Sequence, residues 1–404
     1  VISNEVSGGD NIGGGGVCFN YAAKLLNSTV ADNKSVGRGG GIQVYAPSGT
    51  LSVISNCLIS GNQHLGTDTR RGVGIVVAGS PGHRVHIHNS VISNNSTYSL
   101  VGGISVENGS VVELIGSAIT HNKGSMCGGL ATWTCNSVLI SNCTFTCNES
   151  LSYAGGIFHG YLSGNVGSMT VTHSRIIGNL ATNYYGGGIY FKSNGVMEFC
   201  EIVSNSAMRS GGGVYIAPQT QTRIRNCLIM GNATTGSVST YHRGGGIYID
   251  VDGTNTLESC TLVGNQTMRS GDGLALMAAA SNRILNCIVY SNSADYSDAD
   301  LYLTGNDSTN AFHFSCSPTL PSGVQGNLPD YPMFVAPGEG YGLSLAGGDY
   351  RLAQGSPCIN TGTNCSWMAD AVDLDGHIRI DRFSGLADMG CYEHMPQGII
   401  FHLR

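Results

Sequence analysis

A chain of 404 residues with 60 glycines, 11% charged side chains and a formal net charge of -7 is neither a disordered polyelectrolyte nor a nucleic-acid binder: it lacks the charge of the first and the basic clusters of the second. No run of about 18 apolar residues occurs, which excludes a membrane-spanning helix. Long helical periodicity is absent as well, and Gly, Asn, Ser and Thr interleaved with Ile and Val predict many short strands and turns.

The first element to recur ends at Asn4. The same closing asparagine returns at Asn33, Asn62, Asn95, Asn122, Asn148, Asn179, Asn205, Asn232, Asn265 and Asn292, at intervals of 26 to 33 residues. Three residues ahead of it stands an apolar side chain in every unit from Val30 to Val289, and eight ahead another, from Leu25 to Ile284. Five ahead, the column holds only Ser or Cys, from Ser28 and Cys57 to Cys260 and Cys287. A register kept this long marks units that stack only on their neighbours. Alternation of apolar and polar residues inside each unit predicts two or three short strands joined by glycine-marked turns. So small a unit cannot bury its own apolar face; coil upon coil it can. Residues 1–293 are therefore expected to form an all-β parallel solenoid of about ten or eleven coils, with ten intervals spanning roughly 48 Å. The closing asparagines are expected to bond one another as an amide ladder, and the glycines to take turns that strain other residues.

Outward columns follow from the same register. The first outward residue after the Gly-Gly pair runs Gln43, Val76, Ser105, Ala131, Phe158, Tyr190, Tyr215, Tyr248 and Ala275, with Trp133 on the same face. Trp133, Phe158, Tyr190, Tyr215 and Tyr248 thus predict an aromatic stripe, either a platform for sugar rings or a stack that stabilises the rungs. Glu198, Arg225 and Glu258 share another column, with Arg223 and Arg283 two residues off, and read as ion pairs between rungs. His86 and His88, from "HRVHIH" at 83–88, point outward together as solvated surface or as two metal ligands. Asp250, Asp252 and Asp272, in adjacent coils near Tyr248, form the best acidic cluster for a hydrolase or a calcium site, although Asp252 with Gly253 also reads as a turn. The repeated cysteines read as buried packing; the spacing leaves disulfides open among Cys127, Cys135 and Cys147 and among Cys316, Cys358, Cys365 and Cys391. Sequons such as Asn232-Ala-Thr coincide with the ladder and predict amides turned into the stack.

"GGGI" at 39–42 and "FTCN" at 145–148 resemble the motif pair of polymorphic outer-membrane adhesins, and the repeat over residues 1–293 resembles the right-handed parallel β-helix proteins of the pectin-lyase-like superfold. The resemblance implies a right-handed coil. It implies no single activity, because this fold hosts lyases, hydrolases, adhesins and phage tailspikes alike.

After Asn292 the rhythm stops, and seven of the ten prolines lie beyond residue 294. "DYRLAQGSPCINTG" (349–362) and "DLDGHIRIDRFSGLADMGCYE" (373–393) resemble the choice-of-anchor-type endings of secreted bacterial β-helix proteins, with Cys391 where those carry alanine. Residues 294–404 are expected to cap strand edges left open at that end. Asp373, Asp375, Asp381 and Asp388 are candidates to hold calcium, the only cofactor in view; the simpler reading has Asp375 turning with Gly376 and Asp373 or Asp388 pairing with Arg379 or Arg382.

These readings together predict an extracellular or cell-surface bacterial protein with an adhesin-like role, binding glycan or a matrix polymer. A sequence that opens mid-coil adds end-to-end stacking into a fibre as a further mode. The alternative is a polysaccharide lyase or glycoside hydrolase centred on Asp250, Asp252 and Asp272.

Overall fold

The computed structural model describes residues 1–6, 14–37, 39–66, 72–160, 167–236, 242–277, 282–294, 300–304 and 311–395. Each coil carries four strands where two or three were expected, and like stacks on like in four parallel sheets of 11, 11, 11 and 10 strands. One coil in the middle of the rod reads Ser206–Ala207, Val214–Ile216, Thr222–Arg225 and Leu228–Met230. The strand that alternation missed is the first of these, because two residues show no period. The coil is right-handed, as the resemblance implied. Among the described residues no helix is long and apolar enough to cross a membrane.

Two left-handed corners close each coil. The residue ahead of the closing asparagine has φ between 53° and 66°, for example Asp32 (54°), Asn94 (55°) and Gly264 (62°), and the residue ahead of the Ser/Cys column does the same at Asn56, Asn226 and Asn286. Gly, Asn, Asp and Ser hold most of these posts because a short or missing side chain tolerates the conformation, while His121, Cys147, His173 and Phe199 take the remaining ones. Gly213 is needed for a different reason: a Cβ there would lie 2.6 Å from the carbonyl oxygen of Gly246 and 3.0 Å from Asn232.

The closing asparagines form the ladder. At each of ten steps Nδ2 donates to Oδ1 of the next asparagine at 2.8–3.0 Å. The backbone N–H of each donates to the same oxygen at 2.9–3.1 Å. Asn292, the last, gives both N–H groups to Oδ1 of Asp300 at 2.7 Å. Burial pushes Asp300 up to about 6, against the pull of those two donors. The sequons on the ladder, at Asn232 and Asn265 among others, therefore lie buried with their amides in use.

The main core runs the length of the rod through the apolar columns and the Cys column. Beyond Asp300 the chain adds a further strand, Phe312–His313, onto the third sheet and then turns back along the outside of the last coils. Phe334, Tyr350, Leu352, Cys358 and Met389 pack there against Leu228, Val263 and Ile288 of the fourth sheet. Corner asparagines help hold the segment: Asn286 Nδ2 donates to the Thr363 carbonyl at 2.8 Å, and Asn226 Nδ2 to that of Val372 at 3.2 Å. The segment thus covers a flank of the solenoid as well as its end. The expected ion pairs between rungs are present, with Arg225 between Glu198 and Glu258 at 3.3 and 2.9 Å and Trp367 lying on its guanidinium at 4.3 Å.

Candidate functional site

Register builds the aromatic stripe. Phe158, Tyr190, Tyr215 and Tyr248 are each the middle residue of a three-residue strand in the second sheet and pair with one another rung by rung. Their ring centroids follow at 5.2, 4.8 and 5.1 Å. Trp133 lies 5.5 Å from Phe158, and its Nε1 donates to Ser105 Oγ at 3.1 Å. The stripe is not the open platform that the outward column suggested. All five side chains are buried, none more than 8% exposed, because the turns ahead of the Gly-Gly pairs fold back over them.

Those turns supply a second aromatic layer. Tyr153 lies 5.5 Å from Tyr190, Tyr185 stacks on Tyr215 at 4.5 Å, and Tyr184 stacks on Tyr153 at 5.1 Å. The three are half-buried, and Arg209 lies over Tyr184 at 4.6 Å. Sequence reasoning missed them because turns carry no period. The signal was there in "YAGG" (153–156) and "YYGGG" (184–188), with tyrosine directly ahead of the glycines.

Basic groups gather at the same edge. Arg209, Arg243 and Arg269 sit in the corresponding turns of three successive coils, and Arg243 lies over Tyr302 at 4.2 Å. Burial, and then the charges of Arg209 and Arg269, hold His242 below its ordinary value. Burial above all, with the charge of Asp250 a further cause, holds the phenols of Tyr190, Tyr215 and Tyr248 well above theirs. These hydroxyls are therefore neutral donors at physiological pH.

Each residue of the acidic cluster has a setting of its own. Asp250 accepts from the Tyr215 hydroxyl at 2.6 Å and from the Val251 amide at 2.9 Å. Asp252 is exposed at a left-handed corner beside Gly253, the turn that its sequence also allowed. Asp272 is fully buried, and its Oδ1 accepts from the Thr267 amide at 2.7 Å. Among the described residues, two trios of His, Cys, Asp or Glu bring their ligand atoms within 4.8 Å of one another, and this is not one of them; they are His86–His88–Glu113 and Asp373–Asp375–His377.

The C-terminal acids each find partners within their own segment. Asp373 Oδ1 takes the amides of Asp375 and His377 at 2.9 and 2.7 Å, and its Oδ2 takes that of Glu393 at 2.7 Å. Asp375 closes on Arg351 through both oxygens, at 2.5 and 2.7 Å. Asp381 caps a turn on the amides of Ser384 and Phe383, which hold it below the usual carboxylate range. Asp388 accepts from the amides of Asn360 and His394 at 2.7 and 2.6 Å. Arg379, fully buried, pairs with Glu393 at 3.1 Å and donates to the carbonyl oxygens of Gly390 and Asp388. The motif residues tie their own segment together. All fourteen cysteines are free thiols, so the disulfides that spacing left open are not formed.

Residues 74–244 and 162–317 match the family described as the right handed beta helix region, two overlapping stretches that together span more than half of the chain. The chain belongs to the right-handed beta helix family. No curated protein and no solved structure matches it. Members of a beta helix family share coils rather than ligands, so the chemistry at the tyrosine–arginine edge has to come from the side chains there.

Proposed function

We propose that this beta helix is an extracellular, cell-surface protein of bacteria that binds rather than cuts, holding an acidic glycan along its tyrosine–arginine edge in the manner of an adhesin. The observation that carries the reading is the outer layer of Tyr153, Tyr184 and Tyr185, half-buried, stacked and flanked by Arg209. Ring faces suit the apolar faces of sugars, and guanidinium groups suit carboxylate or sulfate. The buried inner rings brace the outer ones, which lowers the ordering cost of binding. The choice-of-anchor resemblance of residues 294–404 fits display on a cell surface. In-register stacking of solenoid ends is no part of this reading, since Asp300 terminates the amide ladder with an acceptor-only group.

Affinity electrophoresis through gels loaded with pectate, alginate, a sulfated glucan or a neutral glucan tests it. Retention is expected in at least one acidic gel, weakened roughly 3- to 10-fold by Tyr184→Ala and by Arg209→Gln, as the loss of one stacked ring or one charged contact implies. Free migration in every gel, or retention equal in wild type and both variants, would overturn it. The lyase or hydrolase alternative keeps one observation in its favour, the Asp250 carboxylate held by the Tyr215 hydroxyl.

A further inference from the structure

Away from that edge, three ligand-bearing side chains meet on the outer face of the third sheet. His86 and His88 alternate with the buried Val85 and Ile87 along the strand Arg84–His88, so both imidazoles point outward. Glu113 lies directly opposite His86 in the next rung. His88 Nε2 is 3.2 Å from Glu113 Oε1, His86 Nε2 is 3.8 Å from Oε2, and the rings stack with centroids 5.3 Å apart. Each side chain keeps between 23% and 32% of its exposure, which leaves the outer side of the trio open to solvent.

Farther along the same face the glutamates meet a different chemistry. Glu198 and Glu258 are held by Arg223, Arg225 and Arg283 at 2.9–3.3 Å. A guanidinium has no lone pair to give, whereas a neutral imidazole has one. At Glu113, unlike at those two glutamates, the face offers three donor atoms side by side.

We propose that His86, His88 and Glu113 bind a divalent transition-metal ion of the zinc class. Bonds of about 2.0–2.1 Å at tetrahedral angles set neighbouring ligand atoms about 3.4 Å apart. The observed 3.2 and 3.8 Å bracket that spacing. Two imidazoles and one carboxylate make a three-ligand set that leaves a coordination position open outward, and two nitrogen donors disfavour calcium and magnesium. The metal takes the place of the ring proton that joins His88 to Glu113. The site stands apart from the glycan reading and does not depend on it.

Cobalt(II) is the probe, titrated into the full chain carrying Cys18→Ser and Cys147→Ser, because those two exposed thiols compete for it. One saturating visible spectrum of tetrahedral type is expected, displaced by zinc and not by calcium. His88→Gln and Glu113→Gln, with melting temperatures unchanged to show that they fold, should each weaken binding by at least about a hundredfold, since even outer-shell partners contribute 10- to 100-fold. No spectrum in the parent, or an unchanged spectrum in these variants, overturns the proposal. Loss of the spectrum in Asp373→Asn instead would assign the ion to the C-terminal trio and overturn it equally.

Discussion

His159 sits fully buried at the end of a second-sheet strand, its Nδ1 2.7 Å from the Thr132 hydroxyl and its Nε2 2.9 Å from the Asn194 carbonyl oxygen. Burial lowers it from 6.5 to about 4. Between those values the unfolded chain binds a proton that the native one refuses, so this residue's contribution falls as pH drops through the window. Asp300, pushed up to about 6, acts with the opposite sign: the unfolded chain gives up its proton first, and stability is lost as pH rises from about 4 to about 6. The test therefore compares wild type with His159→Gln, and the gap in melting temperature should narrow from pH 7 to pH 4. A constant gap would contradict the assignment. At this scale the sequence was informative wherever a side chain repeats in a column. Apolar, Ser/Cys and Asn positions could be read off, because strand geometry alone decides which way they point. The burial of Tyr190, Tyr215 and Tyr248 could not, because it depends on turns folding back over an outward face.

The element that defines each coil is the rung of the asparagine ladder. The Asn179 side chain takes both N–H groups of Asn148 on its oxygen and donates to Asn205 Oδ1 and to the Phe145 carbonyl. Asn179→Ala leaves those buried partners unsatisfied, and a loss of about 3 kcal/mol is expected from urea unfolding, at about 1 kcal/mol or more for each orphaned group. A loss under about 1 kcal/mol would mean that water or a shifted backbone replaces the amide. The ladder was readable before the structure because its spacing survives loops of different length. The two-residue strand after it was not, nor were the tyrosine-bearing turns, because both are shorter than any hydrophobic period. The C-terminal acids show the same limit: Asp373, Asp375 and Asp381 are near in sequence, yet each is satisfied by an amide or an arginine of its own.

As a whole the molecule is a rod of four parallel sheets, its ladder ended by Asp300 and one flank covered by the segment that follows. In such a solenoid each coil contacts only its neighbours, and the rigid sides present long surfaces in register. Fold class followed from the repeat period, which is a property of the chain; function did not, because the exposed chemistry sits in turns that the repeat leaves free to vary. The central claim is that the tyrosine–arginine edge binds and that Asp250, Asp252 and Asp272 do not turn a substrate over. The most direct test is to incubate the protein with acidic and neutral polysaccharides, with and without calcium, and to measure new reducing ends and unsaturated products. At a protein concentration that retains the same glycan in a gel, the expected result is no release above the buffer control. Release from any one glycan, abolished by Asp250→Asn, would contradict the account.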